Sequence, residues 1–202
     1  MLTSRGEQRR EGLLQAALER FAADGFDGVT TRAIAEQTGV SEAALFKYFP
    51  TKRALFLAVV RDLAPDRLID PHDTLPAEVS AEEALAAAVR SHLDLAWEHR
   101  TWLMLVLAER ERDAEVREAL RAQFTSVRQA LRSLLQALAE RGDVRAGMVG
   151  PATQIIMMSL RGFLVWALRQ NPPRSWPATR DWFVQALVDL LLHGIASEQG
   201  QP

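Results

Sequence analysis

The chain has no cysteine, which excludes disulfide bonds and thiol catalysis. It also lacks strand-like alternation; alanine, leucine, arginine and glutamate dominate, so an all-α protein is expected. No excess of positive charge advertises a nucleic-acid partner: 24 basic residues face 26 acidic ones, for a net charge of −2. Any such binding must come from local clustering, and Arg5, Arg9, Arg10, Arg32, Lys47, Lys52 and Arg53 supply it. Long uncharged apolar runs are missing too. The least polar stretch, Ala152 to Leu168, is interrupted by Gln154, Ser159 and Arg161, which argues against a membrane span. The charged, amphipathic N-terminus does not read as a signal peptide, so a cytoplasmic location is expected. Catalytic patterns are absent as well. There is no glycine-rich phosphate loop, no Gly-x-Ser-x-Gly and no His-Glu-x-x-His, and no histidine follows an acid by three residues. Neither enzyme activity, metal nor cofactor is predicted.

What is present is helical periodicity with clear punctuation. Ser4 and Glu7 are spaced as a capping box opening a first helix, along which Leu13, Leu14, Ala17, Leu18 and Phe21 repeat. Gly25 is expected to end it and Phe26 to pack back. The proline-rich run APDRLIDPHDTLP separates a domain at 1–62 from one at 63–202. Ser80 and Glu83 form a second box, starting a helix that runs to about His99. Further helices are expected at Thr101–Arg110, Ala114–Arg141, Pro151–Gln170 and Ala178–Ser197. Along Ala114–Arg141, Val116, Leu120, Phe124, Val127, Leu131, Leu134 and Leu138 form the inner side.

The most informative stretch is TTRAIAEQTGVSEAALFKYF, Thr30 to Phe49. Thr30 or Thr31 can cap a short helix whose Ile34 and Ala35 face inward. Gly39 suits a tight turn, Val40 plugs the corner and Ser41 caps a second helix. Leu45 and Phe49, four apart, share that helix's buried face. Glu42, Ala43, Ala44, Lys47 and Tyr48 then face outward or flank it. Pro50 stops the helix, and Thr51 caps a fourth one from about Lys52 to Leu63. Lys52 and Arg53 fall in its first turn, where the helix dipole disfavours cations. A nearby phosphate gives them a reason to be there. Together these features predict a helix-turn-helix that reads the DNA major groove.

At this point the chain resembles the TetR family of bacterial transcriptional regulators. The resemblance covers roughly the first sixty residues and rests on GLLQAALERFAADGFDGVTTRAIAEQTGV followed by SEAALFKYFPTKRALF. It implies an N-terminal DNA-binding domain, a C-terminal ligand-binding and dimerisation domain, and roles at matching positions. Arg32 sits where some members contact a base or phosphate. Glu42, Ala43 and Lys47 occupy exposed positions of the recognition helix, and Tyr48 and Lys52 match residues that bind the phosphate backbone. Thr31 and Ser41 complete the DNA-facing set. One departure is Phe46, where the family usually has tyrosine; the hydroxyl that holds a phosphate there is missing. Ala43 and Ala44 offer only methyl contacts, and Glu42 can either accept from cytosine or keep the helix off unsuitable DNA.

The last two helices are apolar nearly all round. Ile155, Ile156, Leu160, Phe163, Leu164 and Trp166 cover one, and Trp182, Phe183, Leu187, Leu190 and Leu191 the other. Such helices need burial on more than one side, and a second protomer is the simplest cover. Ile156, Phe163, Trp166, Phe183, Leu187 and Leu190 are the expected homodimer contacts. A two-fold protein would place two recognition helices about 34 Å apart on a palindromic operator in double-stranded DNA. A small-molecule effector is expected between helices, with His92, Trp102, Met157 and Arg161 as candidates. For each, a plain core or salt-bridge role stands beside the ligand role. The function expected is a ligand-responsive regulator, a repressor released by its effector. The alternative is a dimeric helical binding protein without DNA activity.

Overall fold

A left-handed glycine, three capping hydroxyls and one long buried helix set up the N-terminal architecture. The computed structural model describes residues 4–65, 79–169 and 175–193. Among them are α1 (Ser4–Gly28), α2 (Thr31–Gln37), α3 (Glu42–Tyr48), α4 (Lys52–Asp62), α5 (Ala81–Glu98), α6 (Arg100–Glu109), α7 (Ala114–Glu140), a 3-10 turn (Ala146–Met148), α8 (Val149–Arg169) and α9 (Trp176–Leu192). No strand occurs among the described residues, as an all-α composition predicts. The proline-rich run lies mostly outside the described residues, as do Gln170 and Ser197 at the expected ends of the last two helices.

Two compact units divide the chain. The first takes its described residues from Met1–Asp66 and His99–Ala122, the second from Arg67–Glu98 and Gln123–Pro202. The first unit is therefore larger than the segment 1–62, because α6 and the start of α7 pack with it.

In the first unit, α1 packs on α2, α4 and α6. The helix breaks at Gly25, whose φ of 71° lies in the left-handed region that a side chain disfavours. The break turns Phe26 back, so that its ring stacks on Phe21 and meets Phe56 of α4 edge-on, with centroids 5.9 and 5.1 Å apart. Leu55 through Val60 of α4 are all buried, which makes α4 the central post of the unit. Its last turn leaves carbonyls without helical partners. The indole N–H of Trp102, from α6, donates to the Val60 carbonyl at 3.1 Å. α1 begins at Ser4, the residue expected to open it.

In the second unit, α5 packs on α8 and α9. The Ser80–Glu83 box does form, with the Ser80 N–H donating to Glu83 and the Glu83 N–H to the Ser80 hydroxyl, both at 3.2 Å. The Ser80 backbone and side-chain donors hold the Glu83 carboxyl below its ordinary pKa. Asp94 accepts from the Trp176 indole at 3.0 Å and from Arg180, docking α9 on α5. Trp97 stacks flat on Trp176 at 4.2 Å, and Phe163 on Phe183 at 4.0 Å. On α7 the inner stripe shifts by one residue: Leu135 is buried while Leu134 is half-exposed. The stretch Ala146–Arg169 is long and apolar enough to cross a bilayer by composition alone. Eight of its side chains, however, are buried, as in a bundle core.

Candidate nucleic-acid interface

The helix-turn-helix is assembled by local chemistry. Thr30, not Thr31, caps α2, its hydroxyl accepting the Ala33 N–H at 3.2 Å. Gly39 carries the turn at φ 68°. Ser41 caps α3 by accepting from Ala44 at 3.2 Å, and Thr51 caps α4 by accepting from Ala54 at 3.0 Å. Ile34, Ala35, Leu45 and Phe49 are buried and hold α2 and α3 against the core.

Thr31 has a different job. Its hydroxyl donates to Glu42 Oε1 at 2.5 Å, tying the start of α2 to the start of α3. A hydroxyl has one proton to give, so in the unbound protein that donor is committed to Glu42 rather than to a phosphate. Ser41 differs, because its cap uses the oxygen as acceptor and leaves the O–H free to donate.

The outer face of α3 presents Ala43 and, one helical turn on, Phe46 and Lys47, all exposed. Lys47 has no hydrogen-bonding or ionic partner among the described residues. Tyr48 is half-buried, its ring 6.5 Å from that of Phe49. Arg32 is exposed on α2 and pairs at 2.9 Å with Glu36, which raises its pKa and keeps it cationic. Lys52 stands with Nζ 4.6 Å from the Phe26 ring centroid and donates to the Asp27 carbonyl at 3.4 Å, which holds its ammonium at the base of the motif.

Arg53 has another destination. Its guanidinium donates to Asp113 and, at 3.3 Å, to Glu115 at the start of α7. Burial pushes the Asp113 carboxyl up, but Arg53 and the N–H groups of Val116 and Glu115 outweigh it and hold it below the usual range. This ion pair gives one cation in the first turn of α4 a partner within the chain. Arg10 is likewise paired, with Asp62. Three of the seven cations expected to form the basic cluster, Arg10, Arg32 and Arg53, are therefore ion-paired with acids of the same chain.

Phe46, which the sequence marks only by the hydroxyl it lacks, is also 40% exposed on the outer face of α3.

Residues 13–59 match the family described as bacterial regulatory proteins, tetR family. The chain is 31% identical over 140 residues to the HTH-type transcriptional repressor AcnR of Corynebacterium efficiens, covering 67% of this chain and 69% of that protein. The chain belongs to the TetR family. It is also 28% identical over 163 residues to the HTH-type transcriptional regulator RutR of Escherichia coli K12, covering 81% of this chain and 73% of that protein. The fold agrees with that of the TetR-family regulator PfmR from Thermus thermophilus, with a TM-score of 0.69, 22% identity and coverage of 98% and 100%. As a TetR-family protein it is a DNA-binding transcriptional regulator and not an enzyme.

The remaining candidates of this TetR-family chain are spread between its units. Trp102 belongs to the first and is occupied with Val60. His92, Met157 and Arg161 belong to the second. His92 and Met157 are buried, whereas Arg161 is exposed and lies over the Phe124 ring at 4.4 Å. Of the expected dimer contacts, Ile156, Phe163 and Leu187 are buried within their own unit and Phe183 is half-buried. Trp166 and Leu190 remain 46% and 48% exposed, alongside Ile155, Met158 and Trp182.

Proposed function

We propose that this regulator is a homodimeric, cytoplasmic repressor that binds a palindromic operator and is released by a small-molecule effector. The observation that carries the DNA reading is the outer face of α3: an unpaired lysine beside two apolar side chains on a rigidly capped helix. Lys47, Lys52, Tyr48 and the Ser41 hydroxyl contact phosphates, while Arg32, Glu42, Ala43 and Phe46 face the bases. Phenylalanine and alanine suit thymine methyl groups, so the preferred half-site is rich in thymine at the centre of the contact. Thr31 acts from behind, setting the tilt of α3 through Glu42.

Support for the dimer comes from Ile155, Met158 and Trp166 on α8 and from Trp182 and Leu190 on α9. Five large apolar side chains left in water on two neighbouring helices mark an interaction surface. The effector acts by binding better to the state unable to seat both recognition helices, and its effect is bounded by that difference in affinity. The deciding experiment is selection of bound fragments from random duplex DNA. A palindrome with half-sites about one helical turn or its multiple apart is expected. No enrichment over competitor in dilute buffer would leave a ligand-binding helical protein instead.

A further inference from the structure

We propose that a pocket in the second unit, walled by Leu85, Leu135, Ile156 and Leu192 and edged by Arg145, binds a small monocarboxylate. The apolar body of that ligand has about six to eight carbons. Only the consequence for DNA rests on the proposed regulatory function; the pocket's chemistry stands on its own geometry.

Size sets the first limit. The pocket, partly open to solvent, offers about 180 Å³. An apolar cavity of about 150 Å³ is enough to take a benzene ring, whereas sites for drug-sized ligands run from about 300 Å³ upward. One ring or a short chain fits within it. The four aliphatic side chains come from α5, α7, α8 and α9. The walls thus belong to four helices that the bundle already holds together.

Charge sets the second limit. Two ionisable residues line the pocket, Asp143 and Arg145. Asp143 is paired with Arg141 at 2.8 Å, so its charge is answered. Arg145 is exposed, and its side chain makes no hydrogen bond or ion pair among the described residues. The unspent charge at the pocket is positive. A guanidinium presents a planar fork that matches a carboxylate. Arg145 answers one negative charge and no other cation lines the pocket, which restricts the class to monoanions. An amine would have to displace Arg141 from Asp143 and would be repelled by Arg145. An alcohol of equal length gains the walls without the fork.

His92, Met157 and Arg161 are not among the residues lining this pocket. It is therefore a site separate from the one expected around them.

The test is calorimetric titration of the full-length protein with benzoate, hexanoate and octanoate, against hexanol and hexylamine. Saturable binding of at least one acid per chain is expected, with the alcohol and amine weaker by about tenfold or more. Arg145→Ala should lose about tenfold in affinity for the acid, and Arg145→Lys should recover part of it. Ala152→Phe, which fills the pocket from α8, should abolish binding. Arg145 is exposed, so its variants are expected to unfold at the wild-type temperature, which separates lost binding from lost fold. Absence of saturable binding by all three acids overturns the proposal. So does wild-type affinity in Arg145→Ala, or hexanol binding as well as hexanoate. If the acids bind as described but leave operator affinity unchanged, the site stands and its role as effector site falls. If the protein binds the acids but no DNA, the site again stands and the regulatory reading fails.

Discussion

Replacing Lys47 and Arg53 by alanine, one at a time, separates a cation that serves DNA from one that serves the fold. Both are basic and flank the same motif, but Lys47 is unpaired on α3 while Arg53 is held by Asp113 and Glu115. Each phosphate neutralised contributes about 0.9 to the slope of log affinity against log salt. A dimer loses two such contacts with Lys47→Ala, so its slope should flatten by about 1.8. Between 50 and 200 mM salt, a fourfold change, the variant's affinity should then fall about twelvefold less than the wild type's. Arg53→Ala should leave the slope unchanged. Its effect should appear in thermal unfolding instead, as a small drop in Tm, because the Arg53 side of the pair is solvated. Anisotropy titrations of one labelled duplex at several salt concentrations measure both. An Arg53→Ala slope as flat as that of Lys47→Ala would mean that Arg53 leaves its acids to meet DNA, and the ion-pair reasoning would be refuted.

Asp113→Ala removes both the Arg53 pair and the two N–H contacts that start α7, and should cost about 1–3 kcal/mol by denaturant unfolding; Asp113→Asn, which can still cap, should cost less than half of that. Because the folded Asp113 pKa is lowered, its contribution is complete above the ordinary carboxylate value of about 3.9 and disappears as pH falls through the lower folded value. The gap between wild type and Asp113→Asn should therefore close in acid, and a gap that persists well below that range would contradict the assignment. Trp102→Phe leaves the Val60 carbonyl unsatisfied and should cost about 1–3 kcal/mol, with a neutral result denying the bond any weight. Trp166→Glu and Leu190→Glu should give folded monomers by light scattering, whereas Phe163→Glu, buried in its own unit, should lower stability first. Phe46→Ala should relax preference at thymine positions and leave the salt slope intact; a flattened slope would move Phe46 from the bases to the backbone.

The parts legible in the sequence were those decided within a few residues. Capping by Thr30, Ser41 and Thr51, the turns at Gly25 and Gly39, and the buried pair Leu45 and Phe49 each depend on neighbours three or four positions away. The partner of Arg53 is not legible because Asp113 is sixty residues distant, and the dipole argument that singles out Arg53 says nothing of where the compensating charge resides. Trp102 looked like ligand contact for a related reason: its partner is a backbone carbonyl at the end of α4, which no side-chain pattern reveals. On α8 the difficulty was periodicity itself. A helix apolar nearly all round carries no signal of which face is inward, so Phe163 and Trp166 read alike although one is buried and the other is half in water. The Arg145 pocket was invisible because it joins four helices at positions unrelated in spacing.

The wet ring of Phe46 gives this regulator a calorimetric signature. Loose association with arbitrary duplex rests on phosphates and hides little hydrocarbon, whereas seating α3 as proposed should take an aromatic face out of water. Removing such surface lowers heat capacity. Enthalpies of the seated complex should therefore grow more exothermic on warming, while those of the loose complex stay nearly flat, and temperature alone can tell the two modes apart.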